Sequence, residues 1–233
     1  MTIAGRRPRN LHNVYLHYVF DLWANRWRQR EAKGDMVIVR YADDIVVGFQ
    51  YEADARHFWD DMRTRFEEFS LSLHAEKTRL IEFGRFAASN HGRRGLGKPE
   101  TFNFLGCTHI CGRNRRGKFL LRRKTRRDRM QARLAKIKEE LRLRRHHPIP
   151  EQGVWLAQVV RGFYAYHAVP TNGAAMGAFR HHIVRLWIRT LRRRSQKDRF
   201  KWERMKRLLD TWLPKPRILH PWPELRFDAK HPR

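Results

Sequence analysis

The spacing of apolar residues changes several times in the first half of the chain and then settles into one period. Leu11, Val14, Tyr15, Tyr18, Val19, Leu22 and Trp23 recur at helical spacing, which predicts a helix with a broad buried face ending before Gly34. Two β-branched runs follow, MVIVR at 36–40 and IVVGF at 45–49, separated by YADD. Short apolar runs around a tight acidic turn predict a β-hairpin. Ala55, Phe58, Trp59, Met62, Phe66 and Phe69 take the spacing of an amphipathic helix. Residues 71–73 and 79–83 are short strand candidates, and 84–99 is a loop rich in Gly and Arg. FNFLGCTHIC at 102–111 and GKFLLR at 117–122 predict a second hairpin around a basic turn, GRNRRG.

From Thr125 onward only helical spacing remains. Met130, Leu134, Ile137 and Leu141 share one face; Val154–Tyr166, Phe179–Leu191 and Trp202–Trp212 follow. Asn172, after the VPT turn, is a candidate N-cap. Pro214, Pro216, Pro221 and Pro223 end the last helix in an extended tail. The fold class is therefore α+β followed by an all-α segment. The expected divisions are a basic leader at 1–10, a mixed segment at 11–123, a helical segment at 124–213 and a Pro-rich tail at 214–233.

Charge changes the picture most. The 233 residues carry 51 Lys plus Arg against 23 acids, a formal +28. With 41% hydrophobic residues the chain can bury a core, so wholesale disorder is not expected. Such an excess repels itself unless a polyanion neutralises it, and nucleic acid is the foremost candidate. An anionic membrane surface would serve too, but no apolar run approaches the ~20 residues of a membrane span. A basic tail does not account for the charge, because cations run through most of the chain. Sixteen Lys or Arg lie between Arg113 and Arg145 against three acids, so internal pairing cannot absorb them. A second cluster, Arg180–Arg207, contains Arg192, Arg193 and Arg194 in a row. Arginine grips phosphate bidentately and stacks on unpaired bases. The two cysteines, Cys107 and Cys111, read as small core or edge residues, since C-x3-C without further ligands is weak evidence for zinc. The paired histidines at 146–147 and 181–182 read as surface residues, and Trp155, Trp187, Trp202 and Trp212 as core.

The YADD turn is the candidate for chemistry. A hairpin tip brings neighbouring carboxylates together where a straight strand would point them apart. Paired carboxylates hold Mg²⁺ in two-metal phosphoryl transfer. Asp is also a common turn residue, so DD alone fits a solvated tip equally well.

RYADDIVVGF resembles the palm motif of reverse transcriptases. NVYLHYVFDLW at 13–23, LHAEKTRLIEFGRFA at 73–87 and FNFLGCTHICGRNRRGKFLLRRKT at 102–125 resemble, in order, the neighbouring blocks of group II intron reverse transcriptase/maturases. VVRGFYAYHAVPTN at 159–172 and RRRSQ at 192–196 resemble the maturase domain, also called domain X or thumb. The resemblance implies a partial palm over 11–123 and a helical thumb over 124–213. It implies Asp43 and Asp44 as metal-binding catalytic residues, Tyr41 as the aromatic beside the nucleotide and primer end, and Mg²⁺ as cofactor. The family's third aspartate belongs to an earlier palm strand. Asp35 lies about 26 Å along the strand from Asp43 at ~3.3 Å per residue; Glu52, Asp54, Asp60, Asp61, Glu67 and Glu68 are no better placed.

Polymerase activity of this chain alone is therefore not expected. The expected function is intron-RNA binding by a basic helical domain. Its candidate RNA-binding residues are Arg115, Arg116, Arg122, Arg123, Lys124, Arg126, Arg127, Arg161, Tyr164, Arg192, Arg193 and Arg194, with core packing the alternative for Tyr164 and for Tyr166. The expected partners are group II intron RNA, a DNA target and an N-terminal half supplied in trans, within a cytoplasmic ribonucleoprotein. One half of a split polymerase and a non-functional remnant are the alternatives.

Overall fold

The computed structural model describes residues 9–194 and 202–222. Most of the leader, Ser195 and Gln196 of the RRRSQ stretch, and the tail from Pro223 lie outside the described residues. The chain divides into two compact units, residues 1–82 and 83–233. No described helix is long and apolar enough to cross a membrane.

The first unit opens with α1 (Arg9–Leu16), a π-helical turn (His17–Asp21) and α2 (Leu22–Arg30). A π turn adds a residue to the helical repeat and rotates everything after it. The buried line runs through Leu16, Val19, Phe20, Ala24 and Trp27, while Val14, Tyr15 and Tyr18, expected inside, are exposed. Strands β1 (Met36–Tyr41) and β2 (Asp44–Phe49) form the expected antiparallel hairpin. Its inner face, including Met36, Ile38, Ile45, Val47 and Phe49, joins the core with α3 (Glu52–Glu68). Phe58 sits at the centre of this core, with the rings of Trp23, Trp27 and Phe49 at 5.0–5.3 Å. Asp54 is buried and accepts hydrogen bonds from the backbone N–H groups of Lys33 and Gly34, both at 3.0 Å. Residues 71–73 and 79–83 form no strand. Leu71 and Leu73 instead pack on the core edge, which satisfies their apolar side chains without a sheet partner.

In the second unit the expected loop at 84–99 contains a short helix, α4 (Ala87–Arg93). The run 102–111 is broken rather than continuous. Leu105 and Gly106 both take positive φ, as a two-residue hairpin turn requires, and split it into β3 (Phe102–Phe104) and β4 (Cys107–Arg113). With β5 (Phe119–Thr125) they make a three-stranded antiparallel sheet. Four long helices follow, α5 (Arg127–Leu143), α6 (Ile149–His167), α7 (Gly173–Arg192) and α8 (Trp202–Trp212). They match the predicted helical spans. The helices enclose the larger core, where Trp187 and Phe179 are fully buried and Phe163 stacks on Phe179 at 3.6 Å. Gly153 lets α8 approach α6, because a Cβ there would meet the Trp212 ring at 2.5 Å. Of the tryptophans expected in the core, Trp202 is 61% exposed.

Two buried polar side chains tie this unit together. Gln152 donates to the carbonyls of Arg144, Arg145 and His147, and accepts from the Trp187 indole at 3.0 Å. Asn172 occupies the N-cap position of α7, but its side chain makes no cap. It accepts from the Thr125 amide at 2.9 Å and donates to the Thr125 hydroxyl and the His167 carbonyl. Thr171 likewise binds the Arg123 backbone at 2.8 Å. These bonds join the sheet to the helices, so β3–β5 falls in the second unit rather than with residues 11–82.

Candidate functional site

The YADD turn is a two-residue hairpin in which Tyr41 pairs with Asp44, leaving Ala42 and Asp43 at the tip. Ala42 has φ 52°, a left-handed conformation that a residue with a Cβ adopts at a cost. Strand alternation puts Tyr41 and Asp44 on the outer face with Val37, Val39 and Val46, and Arg40 on the inner face. Tyr41 is 65% exposed, and Asp43 and Asp44 are exposed too.

Beneath the tip, Arg40 grips Asp21 bidentately at 2.7 and 2.6 Å. Its remaining reach goes to the Ala42 carbonyl at 3.1 Å and the Asn13 side chain at 3.4 Å. The guanidinium thus fastens the strained turn to the π-helical segment that ends at Asp21. Its hydrogen bonds hold the Asp21 carboxyl below the usual range, and Asp21 in turn raises Arg40, with Asp43 adding a further attraction. Sequence reasoning misses Asp21. Asp21 and Arg40 lie 19 residues apart on a helix and a strand, and nothing in that separation shows that the two meet.

Asp43 stands in the turn and Asp44 opens β2, so the two acids are neighbours at this end of the hairpin. A two-metal centre needs more oxygen ligands than this. Among the described residues no three acids, histidines or cysteines gather to hold a metal. Asp21 is engaged by Arg40, Asp54 caps the backbone, and Asp61 accepts from the Trp27 indole at 2.7 Å. The donor set does not fit a two-metal site by itself.

The basic candidates lie elsewhere. Arg115 and Arg116 occupy the exposed β4–β5 turn, Arg122 and Lys124 project from one face of β5, and Arg161 is exposed on α6. None of these five forms an ion pair among the described residues. Arg127, Arg192 and Arg193 are exposed too, at the ends of α5 and α7. Arg126 pairs with Asp128 at 2.6 Å, and Arg123 and Arg194 are half-buried. Tyr164 is 3% exposed inside the helical core, and burial pushes its phenol up to about 12, so its ring packs and has no face open for stacking. Tyr166 is the exposed one, its hydroxyl donating to the Leu105 carbonyl at 2.9 Å. Burial likewise raises the thiols of Cys107 and Cys111 and lowers His109 and His167.

Charge is divided as sharply as structure. Residues 1–82 hold 13 Lys or Arg and 13 acids, so the second unit, with 38 and 10, carries the entire +28.

Residues 10–109 match the family model for reverse transcriptase (RNA-dependent DNA polymerase). The match supports a reverse transcriptase relationship. It covers less than half of the chain, spanning the YADD hairpin and ending within β4. No curated protein matches. The matched segment therefore includes Tyr41, Asp43 and Asp44, while most of the exposed cations without an ion pair among the described residues lie beyond it. A reverse transcriptase relationship also implies nucleic acid as the partner.

Proposed function

We propose that this protein is a group II intron reverse transcriptase/maturase polypeptide that binds intron RNA through its second unit and contributes the YADD carboxylates of a polymerase site. The observation carrying this reading is the confinement of all excess positive charge to residues 83–233, where, among the described residues, Arg115, Arg116, Arg122, Lys124 and Arg161 are exposed and form no ion pair. RNA helices are held chiefly through shape and phosphate position, which such a surface suits.

A second reading, a polymerase site completed in trans, is favoured by the open outer face of the hairpin. Val37, Val39 and Tyr41 are 43–65% exposed there, an apolar strip suited to being covered. In either reading Mg²⁺ requires a further carboxylate from outside the described residues. When bound, it would supply charge neutralisation for phosphoryl transfer, with Asp43 and Asp44 as ligands.

Primer extension on an RNA template with Mg²⁺ tests both readings. The chain alone is expected to give no product while retaining salt-sensitive binding of intron RNA. Extension that appears only with a separately expressed N-terminal half, and disappears in Asp43→Ala/Asp44→Ala, would establish the second reading. Loss of intron-RNA binding at physiological salt would overturn the first.

A further inference from the structure

In the second unit α5 and α7 pack side by side, and a cleft of about 350 Å³ opens along their seam. Leu134 of α5 and Leu186 of α7, half-buried at the rim of the core, line its apolar part. Lys138 of α5 and His182, Arg185 and Arg189 of α7 supply the rest of the charged lining, and no acid contributes. All four are exposed, and none forms an ion pair among the described residues. The nearby acids of α5 are already engaged, Glu139 by Arg142 at 2.7 Å and Glu140 by Arg144 at 3.2 Å. Nothing in the seam offsets the mutual repulsion of three permanent cations.

We propose that this seam is a seat for the phosphodiester backbone of RNA. The inference rests on the reading of the second unit as RNA-binding and gives that reading a location. His182, Arg185 and Arg189 follow one line of α7 at spacings of three and four, so they stack along the seam. The row extends about 10 Å along the helix axis, longer than one phosphate group, and therefore suits successive phosphates of a strand. The leucines between the helices exclude water from one side of the cations, strengthening their hold on an anion. Arg185 and Arg189 belong to the basic cluster Arg180–Arg207 and Lys138 to the cluster Arg113–Arg145, but that the two clusters meet is visible only where α5 packs on α7.

The test uses the full chain and a fluorescein-labelled RNA duplex of about 16 base pairs, titrated by anisotropy across a KCl series. Lys138→Gln/Arg185→Gln/Arg189→Gln is compared with Arg129→Gln/Arg133→Gln/Lys136→Gln, an equal loss of charge on the opposite side of α5. The seam variant is expected to bind at least about tenfold more weakly and to lose about 2–3 from the salt slope, near 0.9 for each phosphate no longer neutralised. The control should stay within about threefold of the parent, and Arg189→Gln alone should lower the slope by about 0.9. Circular dichroism checks that each variant keeps its helices.

Equal effects of the two triple variants, or none from the seam variant while the parent binds, would overturn the seam and leave the RNA-binding reading intact. A parent that binds no RNA would overturn both. Competition by millimolar inorganic phosphate would assign the seam to a free anion and sink the proposal in its RNA form.

Discussion

The first unit is electrically neutral and carries an acidic turn on a small core; the second carries all the net charge on a larger one. Among the described residues the larger core contains sixteen buried residues and the smaller eight, which fits what each must withstand. Self-repulsion acts almost wholly on the second unit. That unit opposes it with helix packing and with the Gln152 and Asn172 networks, both fully enclosed. The first unit has no net repulsion to resist. Its hairpin is held by a polar fastening at each end, Asp54 at one and Arg40–Asp21 at the other. A charged surface and a chemical motif are thus held by different means in one chain.

The sharpest break in this comparison comes from Gln152→Leu. It leaves an indole N–H and the carbonyls after α5 without their buried partner, and should destabilise the second unit by on the order of 3 kcal/mol. Hydrogen exchange read peptide by peptide should show faster exchange across α5–α7 and little change over residues 36–68. Asp54→Ala should do the reverse by about 2 kcal/mol, because two buried amides lose their acceptor. Protection should fall around Lys33 and Gly34 and in the hairpin, with the helical unit unaffected.

A smaller effect separates the two ends of the hairpin. Asp21 has a folded pKa below its unfolded value, so the stability it provides is present above about pH 4 and fades as pH falls through the folded value. Asp21→Asn should therefore be less stable than the parent at neutral pH, with the difference vanishing in strong acid. Urea melts followed through the first unit's tryptophans at several pH values would measure it. A pH-independent difference would mean that packing, rather than the ion pair, fastens the turn.

The elements that periodicity reveals are those whose partners are near in sequence. β1 and β2 meet across two residues, and the helical spans after Thr125 carry their own apolar stripes. Elsewhere the local signal is sound but the context decides otherwise. Leu71 and Leu73 read as a strand, yet they find a core edge instead of a sheet neighbour. Tyr18 reads as buried, yet the buried face runs through Leu16, Val19 and Phe20 and leaves it on the other side of the helix. Asn172 reads as a cap because its position is one, while its side chain goes to a strand far away. The YADD motif is legible as residues; its fastening by Arg40 and Asp21 is not, since no sequence spacing encodes that bond.

The Asn172 clasp also sets an order of events in folding. Its acceptor and donor bonds to Thr125 close a span of 47 residues that includes all of α5 and α6. Closing so long a loop comes late relative to forming each helix or the β4–β5 hairpin, whose partners are local. During synthesis the hairpin leaves the ribosome first and stands unlatched until Thr171 and Asn172 emerge. The strand bearing Arg122 and Lys124 is therefore fixed to the helices only after α5 and α6 have been made, although it precedes both in the chain.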